Sequence, residues 1–261
     1  MTTAFLIIDT QFDFCHPDGA LFVPGAEHDV TRMASLIRQH TDQIDHLVVT
    51  LDTHHILDIA HPLFWSDSAG RHPAPFTPIS VADVDAGRWI PRFAAQKARQ
   101  YIQALEADGQ FQHLIWPEHC LIGSRGAALH DTLLDALRHW TTARDRDYVA
   151  VQKGQYPLTE HFGIFRAQVP DPTVPETQLN TALIADLDRF DRICLMGEAK
   201  SHCVANSLRQ LLDYAPALVP KLTLVTDCTS DVTGLGYLAD SIYAEARHRN
   251  VRFLPADAVF S

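Results

Sequence analysis

Ionisable and nucleophilic side chains follow most of the short apolar segments of this chain, near the point where each segment ends. In chain order these residues are Asp9, Asp52, His54, Glu118, His119, Lys153, Cys203 and Asp227. Any one of them has an ordinary structural explanation as a helix cap, a turn former or a solvated side chain. Their recurrence at successive segment ends favours one site that combines acid–base, nucleophilic and metal chemistry.

Cys203 is the candidate nucleophile. An apolar segment ends at Gly197, a short turn follows, and a helical pattern begins near His202 or Cys203. At a helix N-terminus, backbone N–H groups and the positive end of the helix dipole favour a thiolate over a thiol and could bind an oxyanion. The strand–turn–helix order resembles a nucleophile elbow, although there is no GxSxG motif. The cysteines without a helix starting on them are Cys15, Cys120, Cys194 and Cys228.

Asp52 and His54 are separated by one residue at the end of an apolar segment. In an extended strand, residues two apart point to the same side, so these two side chains lie together while His55 points away. A carboxylate and an imidazole on one side suit a divalent ion such as zinc, iron or manganese. His61 and His119 are the candidates for the remaining ligands.

The elements that must position these residues alternate along the chain. Predicted strands are Phe5–Ile8, His46–Leu51, His113–Trp116, Tyr148–Gln152, Ile193–Met196, Leu222–Thr226 and Val251–Leu254. Predicted helices, with apolar residues at spacings of three and four, are Val30–His40, Phe93–Ala107, Gly126–Trp140, Thr181–Leu187, Cys203–Tyr214 and Ala239–His248. Strands without polar alternation are typical of a parallel sheet that is buried on both faces. The order predicts a three-layer α/β/α sandwich of Rossmann-like topology around a mainly parallel sheet, with ligands beyond the carboxyl ends of the strands.

The length of 261 residues suits a single domain over residues 1–261. The segment 65–92 interrupts the alternation and is rich in Pro, Ala and Asp without a clear period. We therefore expect it to be an inserted loop or flap that covers the site or forms a subunit contact.

Composition excludes several classes of function. A formal net charge of −11, without a basic run, argues against nucleic-acid binding. No apolar run approaches the roughly 20 residues that span a bilayer, so no membrane partner is expected. The five cysteines show no CxxC spacing and suit reduced thiols in a cytoplasm. We expect a cytoplasmic homo-oligomer that acts on a small molecule.

Five ordered blocks of the chain resemble the nicotinamidase branch of the isochorismatase-like cysteine hydrolases. The blocks are IIDTQFDFCHPDGALFVPGA, TLDTHH, WPEHCLIGSRGAALH, VQKG and GEAKSHCVANSL. The third is similar to the WPxHC…GxxGAxxH block of nicotinamidases, and the last is similar to the GxAxxxCV nucleophile turn. The likeness runs over most of the chain.

This resemblance implies a role for each matching residue. The implied catalytic triad is Asp9, Lys153 and Cys203. The implied metal ligands are Asp52, His54 and His119, with either His61 or water completing the site. Phe14 and Trp116 would flank a pyridine ring. A cis peptide between Glu198 and Ala199 would aim the N–H of Ala199, together with that of Cys203, at the oxyanion.

The activity implied by the resemblance is the deamidation of nicotinamide to nicotinate and ammonia through a thioester on Cys203. Asp9 would be the general base, Lys153 would stabilise the anions, and a divalent metal would position the pyridine nitrogen. The stretch GQYPLTEHFGIF after Lys153 departs from the Asp- and Ser-rich stretch usual in nicotinamidases. The alternatives are hydrolysis of another small amide or carbamoyl compound, a metal-activated water with Cys203 as a spectator, and a non-catalytic binding protein.

Overall fold

The computed structural model describes residues 1–109 and 112–261. The strands in chain order are β1 Thr3–Ile8, β2 His46–Asp52, β3 Trp65–Ser66, β4 Pro78–Ile79, β5 Ile90–Pro91, β6 His113–Leu114, β7 Val149–Lys153, β8 Arg192–Gly197, β9 Leu222–Val225 and β10 Arg252–Leu254. The α-helices are α1 Phe12–Cys15, α2 Ala26–Gln39, α3 Val81–Asp85, α4 Ala95–Asp108, α5 Asp131–Arg144, α6 Thr181–Asp188, α7 Ala205–Tyr214 and α8 Asp240–His248. A π-helical turn at Lys200–Val204 leads directly into α7.

A parallel sheet of six strands, in the order β10-β9-β8-β1-β2-β7, forms the middle layer. Central strand β1 serves both faces because successive side chains alternate. Phe5 and Ile7 pack with α2 and α5, whereas Leu6 and Ile8 pack with α7 and α8. The three-layer α/β/α sandwich around a parallel sheet is therefore confirmed.

Two predicted strands differ from the observed ones. His113–Trp116 is not a strand of the central sheet, since only His113–Leu114 is extended, as β6, and it pairs antiparallel with β4. Ile115 is instead buried with α4 and the 65–92 segment, and Trp116 packs in a different cluster that includes Phe14. Hydrophobicity alone cannot distinguish these contacts from burial in a sheet. Tyr148–Gln152 was expected to be buried on both faces, but β7 is an edge strand and Val149 is 39% exposed.

The 65–92 segment has more regular structure than its composition suggests. It contains β3, β4, α3 and β5, and its apolar side chains share a separate core with α4. Helix α3 begins with a capping box, in which Asp83 N donates to Ser80 Oγ at 3.1 Å and Ser80 N donates to Asp83 Oδ2 at 2.9 Å. The sequence Ser-x-x-Asp carries this signal, which the absence of helical periodicity obscured.

No helix in the described ranges 1–109 and 112–261 is long and apolar enough to cross a membrane. All five cysteines are buried and free of disulfide bonds.

The turn after β8 depends on Gly197. Its φ is 115°, and a Cβ atom built on it would lie 2.1 Å from Ile8 O on the neighbouring strand β1. Only glycine allows both this backbone conformation and this approach. The carboxyl ends of the two central strands can therefore come together where the nucleophile turn starts.

We expect Gly197→Ala to lower the free energy of unfolding by about 3 kcal/mol or more, because both the positive φ and the contact with Ile8 oppose a side chain. Gly123 is a matched control, since its φ is 80° but a Cβ atom there would meet nothing within 4 Å. The control substitution Gly123→Ala should cost only about 1 kcal/mol. Urea unfolding of both variants measures the difference, and equal losses would contradict the steric explanation.

Candidate active site

Four neighbouring strands bring the predicted catalytic residues to one edge of the sheet. Asp9 follows β1, Asp52 ends β2, Lys153 ends β7, and Cys203 lies in the helical turn that follows β8. Because parallel strands present their carboxyl ends at the same edge, residues almost 200 positions apart become neighbours. Two other strand-end acids do not belong to the site. Glu118 does not line the cleft beside Cys203. The carboxylate of Asp227 accepts a hydrogen bond from Ala256 N at 2.7 Å.

Lys153 is the centre of the arrangement. Its Nζ lies 2.9 Å from Asp9 Oδ2, 2.9 Å from Asp52 Oδ1 and 3.7 Å from Cys203 Sγ. The side chains of Lys153 and Asp9 are 1% and 0% exposed, so water screens these contacts very little. One ammonium group thus links the candidate nucleophile, the candidate base and the candidate metal ligand.

The charges of this group explain its pKa shifts. Burial alone would lower the pKa of Lys153, but the carboxylates of Asp52 and Asp9 outweigh it and raise that pKa well above its usual range. Burial raises the pKa of Asp9, although Lys153 opposes the shift. For Asp52 burial acts in the same upward direction, yet Lys153 and His54 together hold the pKa well below its usual range. Asp9 is therefore the more basic of the two carboxylates and the one suited to accept a proton.

Cys203 lies in the π-helical turn, where Ala199 is the extended residue before the first turn. The peptide bond between Glu198 and Ala199 is cis, as the sequence resemblance predicted. Burial raises the pKa of the Cys203 thiol and Lys153 only partly offsets this effect, which favours a thiol at rest over the thiolate expected from the helix N-terminus and Lys153. Lys153 Nζ donates to Cys203 Sγ at 3.7 Å.

The predicted metal residues also converge. Ring nitrogens of His54, His61 and His119 lie within 4.8 Å of one another, and all three residues are buried. Asp52 Oδ2 adjoins this cluster, at 3.2 Å from His54 Nε2 and 3.6 Å from His119 Nε2. His61 thus takes its place with the other candidates, while His55 is exposed and lies outside the cluster.

The donor set fits a divalent metal of the zinc, iron or manganese kind. Ligand atoms about 2.0–2.2 Å from a tetrahedral zinc ion lie roughly 3.3–3.6 Å from each other, which matches the contacts of Asp52 Oδ2. Burial and the neighbouring imidazoles of His54 and His119 lower the pKa of His61 to about 2, so its ring is neutral as coordination requires. Buried His61 Nδ1 has no hydrogen-bond partner, as expected for an atom available to a ligand.

Asp58 lies beside the histidine cluster and was not predicted from the sequence. Its Oδ2 lies 3.1 Å from His54 Nδ1, on the far side of the ring from Asp52. A carboxylate in this position orients a metal-binding imidazole and raises its basicity. The spacing of four residues between His54 and Asp58 carries no signal outside a helix, so only the folded loop reveals the pair.

A small cleft of about 30 Å³ is lined by both Cys203 and His119. Its apolar walls include Phe14 and Trp116, the two predicted ring-binding residues. The remaining lining residues are Leu21, Asp52, His119, Glu160, Phe162, Ala199, His202, Cys203 and Val232. Glu160, Phe162 and His202 were not singled out from the sequence. Glu160 and Phe162 lie in the GQYPLTEHFGIF stretch. The departure of this stretch from the family pattern was the feature of the sequence that could have indicated them.

Buried polar side chains hold the strand ends together. The amide of Gln11 accepts from Asp52 N at 2.7 Å and donates to Asp52 O at 2.8 Å. Thr50 Oγ1 donates to Asp9 Oδ1 at 2.6 Å and accepts from Asp9 N at 3.0 Å. Asp13 Oδ2 accepts from Cys120 N at 2.7 Å, which fixes the loop that carries His119. Such bonds fix the orientation of the reactive groups.

Solved structures of several hydrolases are similar to this chain. The yeast nicotinamidase Pnc1p is 18% identical, with 97% of this chain and 99% of that chain covered and a TM-score of 0.62. A pyrazinamidase from Pyrococcus horikoshii in complex with zinc is 17% identical, with coverages of 98% and 99% and a TM-score of 0.56. An isochorismatase-like hydrolase from Alkaliphilus metalliredigens is 16% identical, with coverages of 100% and 98% and a TM-score of 0.56.

The chain has the isochorismatase-like fold. The resemblance read from the five sequence blocks is thus confirmed at the level of the fold over nearly the whole chain. No protein-family model and no curated protein matches the sequence. At identities of 16–18%, these neighbours establish the isochorismatase-like fold but not the substrate, which must be argued from the residues of the cleft.

We expect His61→Ala to reduce bound zinc, measured by elemental analysis after equilibrium dialysis, because it removes one of three clustered imidazoles. Asp58→Asn should weaken zinc binding by about 10- to 100-fold through the orientation of His54. His55→Ala is the matched control, since this imidazole is exposed and close in sequence. A loss of zinc in the control equal to that in His61→Ala would contradict the assigned ligand set.

Proposed function

We propose that this protein is a cysteine amidohydrolase that deamidates nicotinamide, with Cys203 as its nucleophile. The observation that carries the proposal is the contact of Lys153 Nζ with both Asp9 Oδ2 and Cys203 Sγ, beside an apolar cleft that Cys203 lines. A thiol, a base and a buried cation in contact are the parts that acyl transfer requires. The nicotinamidase and pyrazinamidase neighbours support the same assignment.

In the first half-reaction, Cys203 Sγ attacks the carboxamide carbon while its proton passes to Asp9. The negative charge that develops on the amide oxygen is stabilised by the backbone N–H groups of Ala199 and Cys203. One such donor contributes about 2.7–4 kcal/mol to the lowering of the barrier. Lys153 stabilises the negative charge that remains on the sulfur and the carboxylate during the transfer.

The tetrahedral intermediate then collapses with cleavage of the carbon–nitrogen bond. Protonated Asp9 delivers its proton to the departing nitrogen, which leaves as ammonia. A water molecule next attacks the thioester carbon and loses a proton to Asp9. The carbon–sulfur bond breaks, Cys203 regains its proton from Asp9, and the carboxylic acid is released.

The cleft would hold a flat ring between its aromatic walls. Phe14 and Trp116 supply apolar contact area for such a ring, and both residues are 5% exposed. A divalent metal held by Asp52, His54, His61 and His119 would supply a Lewis-acidic position for a ring nitrogen. The carboxamide of the ring would then lie toward Cys203, which also lines the cleft.

A second candidate function is the hydrolysis of a different small amide. Glu160 favours it, because this carboxyl group lines the cleft, is 4% exposed and has an Oε1 atom without a hydrogen-bond partner. Burial raises the pKa of Glu160 to about 8, so at neutral pH the group can donate a hydrogen bond to a polar substituent. A small amide with such a substituent would use this donor.

The cytoplasmic location, the single domain and the homo-oligomeric state stay predictions.

We expect the purified protein to release ammonia from nicotinamide and Cys203→Ala to lower kcat by at least about 10⁴-fold, because the thioester can no longer form. An enzyme-coupled ammonia assay with a panel of small amides measures this. Cys194→Ala is the control, since this buried cysteine lies within β8. Turnover that survives Cys203→Ala would favour attack by a metal-activated water. Turnover of another amide but not of nicotinamide would keep the mechanism and assign a different substrate.

We expect Trp116→Ala to raise KM for nicotinamide by about tenfold, because ring stacking and buried apolar area are lost. An aliphatic amide substrate should lose much less affinity, since it does not stack. Trp116→Phe keeps an aromatic wall and serves as the control. Steady-state kinetics on both substrates measure the two KM values. An equal rise in KM for the two amides would argue against a ring-binding role of Trp116.

A further inference from the structure

Glu198 is a buried acid to which the proposed mechanism gives no role. It is 0% exposed and immediately precedes Ala199 in the nucleophile turn, and its backbone N–H donates to Ile8 O at 2.8 Å. Its Oε2 accepts from Ser230 N at 3.1 Å, while no donor reaches its Oε1. The negative charge of Asp29, another carboxyl group, on α2, acts on this side chain.

Asp29 and Glu198 form a buried carboxyl pair that Ser230 bridges. The Ser230 hydroxyl donates to Asp29 Oδ2, while the Ser230 N–H donates to Glu198. Arg32 binds Asp29 Oδ1 and supplies one positive charge to the pair. Two adjacent carboxyl groups in a buried site do not both ionise, so the pair holds one proton.

The charges around the pair leave that proton with Glu198. Burial and the neighbouring carboxylate of Asp29 raise the pKa of Glu198 well above its usual range. The cation of Lys200 is bonded to Asp231 at 2.9 Å rather than to Glu198. The other titratable groups in the electrostatic surroundings of the pair are Cys15, Glu27, Cys228, Asp231 and Tyr243. None of these carries a positive charge that would favour ionised Glu198.

The segment that holds the pair also holds the nucleophile turn. Lys200 N donates to Ser230 O at 2.8 Å, and Val232 N donates to Ser201 Oγ at 3.1 Å. Ser230 is therefore bonded to residues on both sides of Ala199, namely Glu198 and Lys200. These bonds connect the carboxyl pair to the peptide that carries the N–H group of Ala199.

We infer that Glu198 is a positioning residue which, as a neutral acid that accepts from Ser230 N and is joined to Asp29 through Ser230, holds the Ala199 N–H in place for the oxyanion. Loss of its proton places two carboxylates against each other and displaces the turn. The inference rests on the proposed amidohydrolase function and adds a source of pH dependence outside the triad. Because the oxyanion forms during the reaction, the displacement lowers kcat more than it raises KM.

The test compares pH profiles of kcat for the whole protein and three variants. In the wild type we expect kcat to fall at alkaline pH by about tenfold per pH unit. Glu198→Gln cannot lose a proton and keeps a donor for Asp29, so this fall should move upward by at least one pH unit. Glu198→Ala should lower kcat by about 10- to 100-fold with KM within about threefold. Glu27→Gln lies on α2, the helix that carries Asp29, and removes one negative charge outside the pair. This control should leave the pH profile of kcat unchanged.

An infrared measurement tests the shared proton without any substrate. The wild type at neutral pH should show a C=O band of a protonated carboxyl group that Glu198→Gln removes and Glu27→Gln retains. Absence of that difference would overturn the inference, as would a kcat profile that Glu198→Gln leaves unchanged. If the wild type hydrolyses no amide, the proposed function and the positioning role fail together, and the band would still establish the buried proton.

Discussion

The ion pair of Lys153 with Asp9 and Asp52 is the interaction on which the rest of the site depends. Two carboxylates and an ammonium group are withdrawn from water here, which is costly unless each charge has close partners. Removal of one partner from such a buried pair typically costs about 3–5 kcal/mol. The contacts of 2.9 Å on both sides of Nζ therefore constrain three strand ends to one arrangement.

Asp52 joins the two halves of the site because its oxygens have different partners. Oδ1 contacts Lys153, and Oδ2 faces His54 and His119. One side chain and the spacing of adjacent strands thus fix how far the histidine cluster lies from Cys203 Sγ. For the proposed amide substrate, this fixed separation would orient the carboxamide without a large number of polar contacts.

Sequence reasoning found the residues at strand ends because strand ends have a fixed relation to the sheet edge. Asp9, Asp52 and Lys153 each follow an apolar segment, and a parallel sheet places them together without further information. His113–Trp116 was wrongly predicted as a strand of that sheet, because burial of Ile115 against α4 and of Trp116 beside Phe14 produces the same apolar pattern. Asp58 and Glu160 were missed since each reaches the site from an irregular loop, where no periodicity relates chain position to direction.

The protonation of Cys203 follows from the balance of charge around Lys153. One ammonium group already faces two carboxylates, so a thiolate would be a third anion around a single cation in a buried site. A helix N-terminus offsets only about 0.3–1 kcal/mol of such a cost at an ordinary site. In the proposed reaction the sulfur would attack as its proton moves to Asp9, so that the number of negative charges around Lys153 stays constant until the oxyanion forms. Charge would then accumulate on the substrate oxygen beside the backbone N–H groups of Ala199 and Cys203 and not around Lys153.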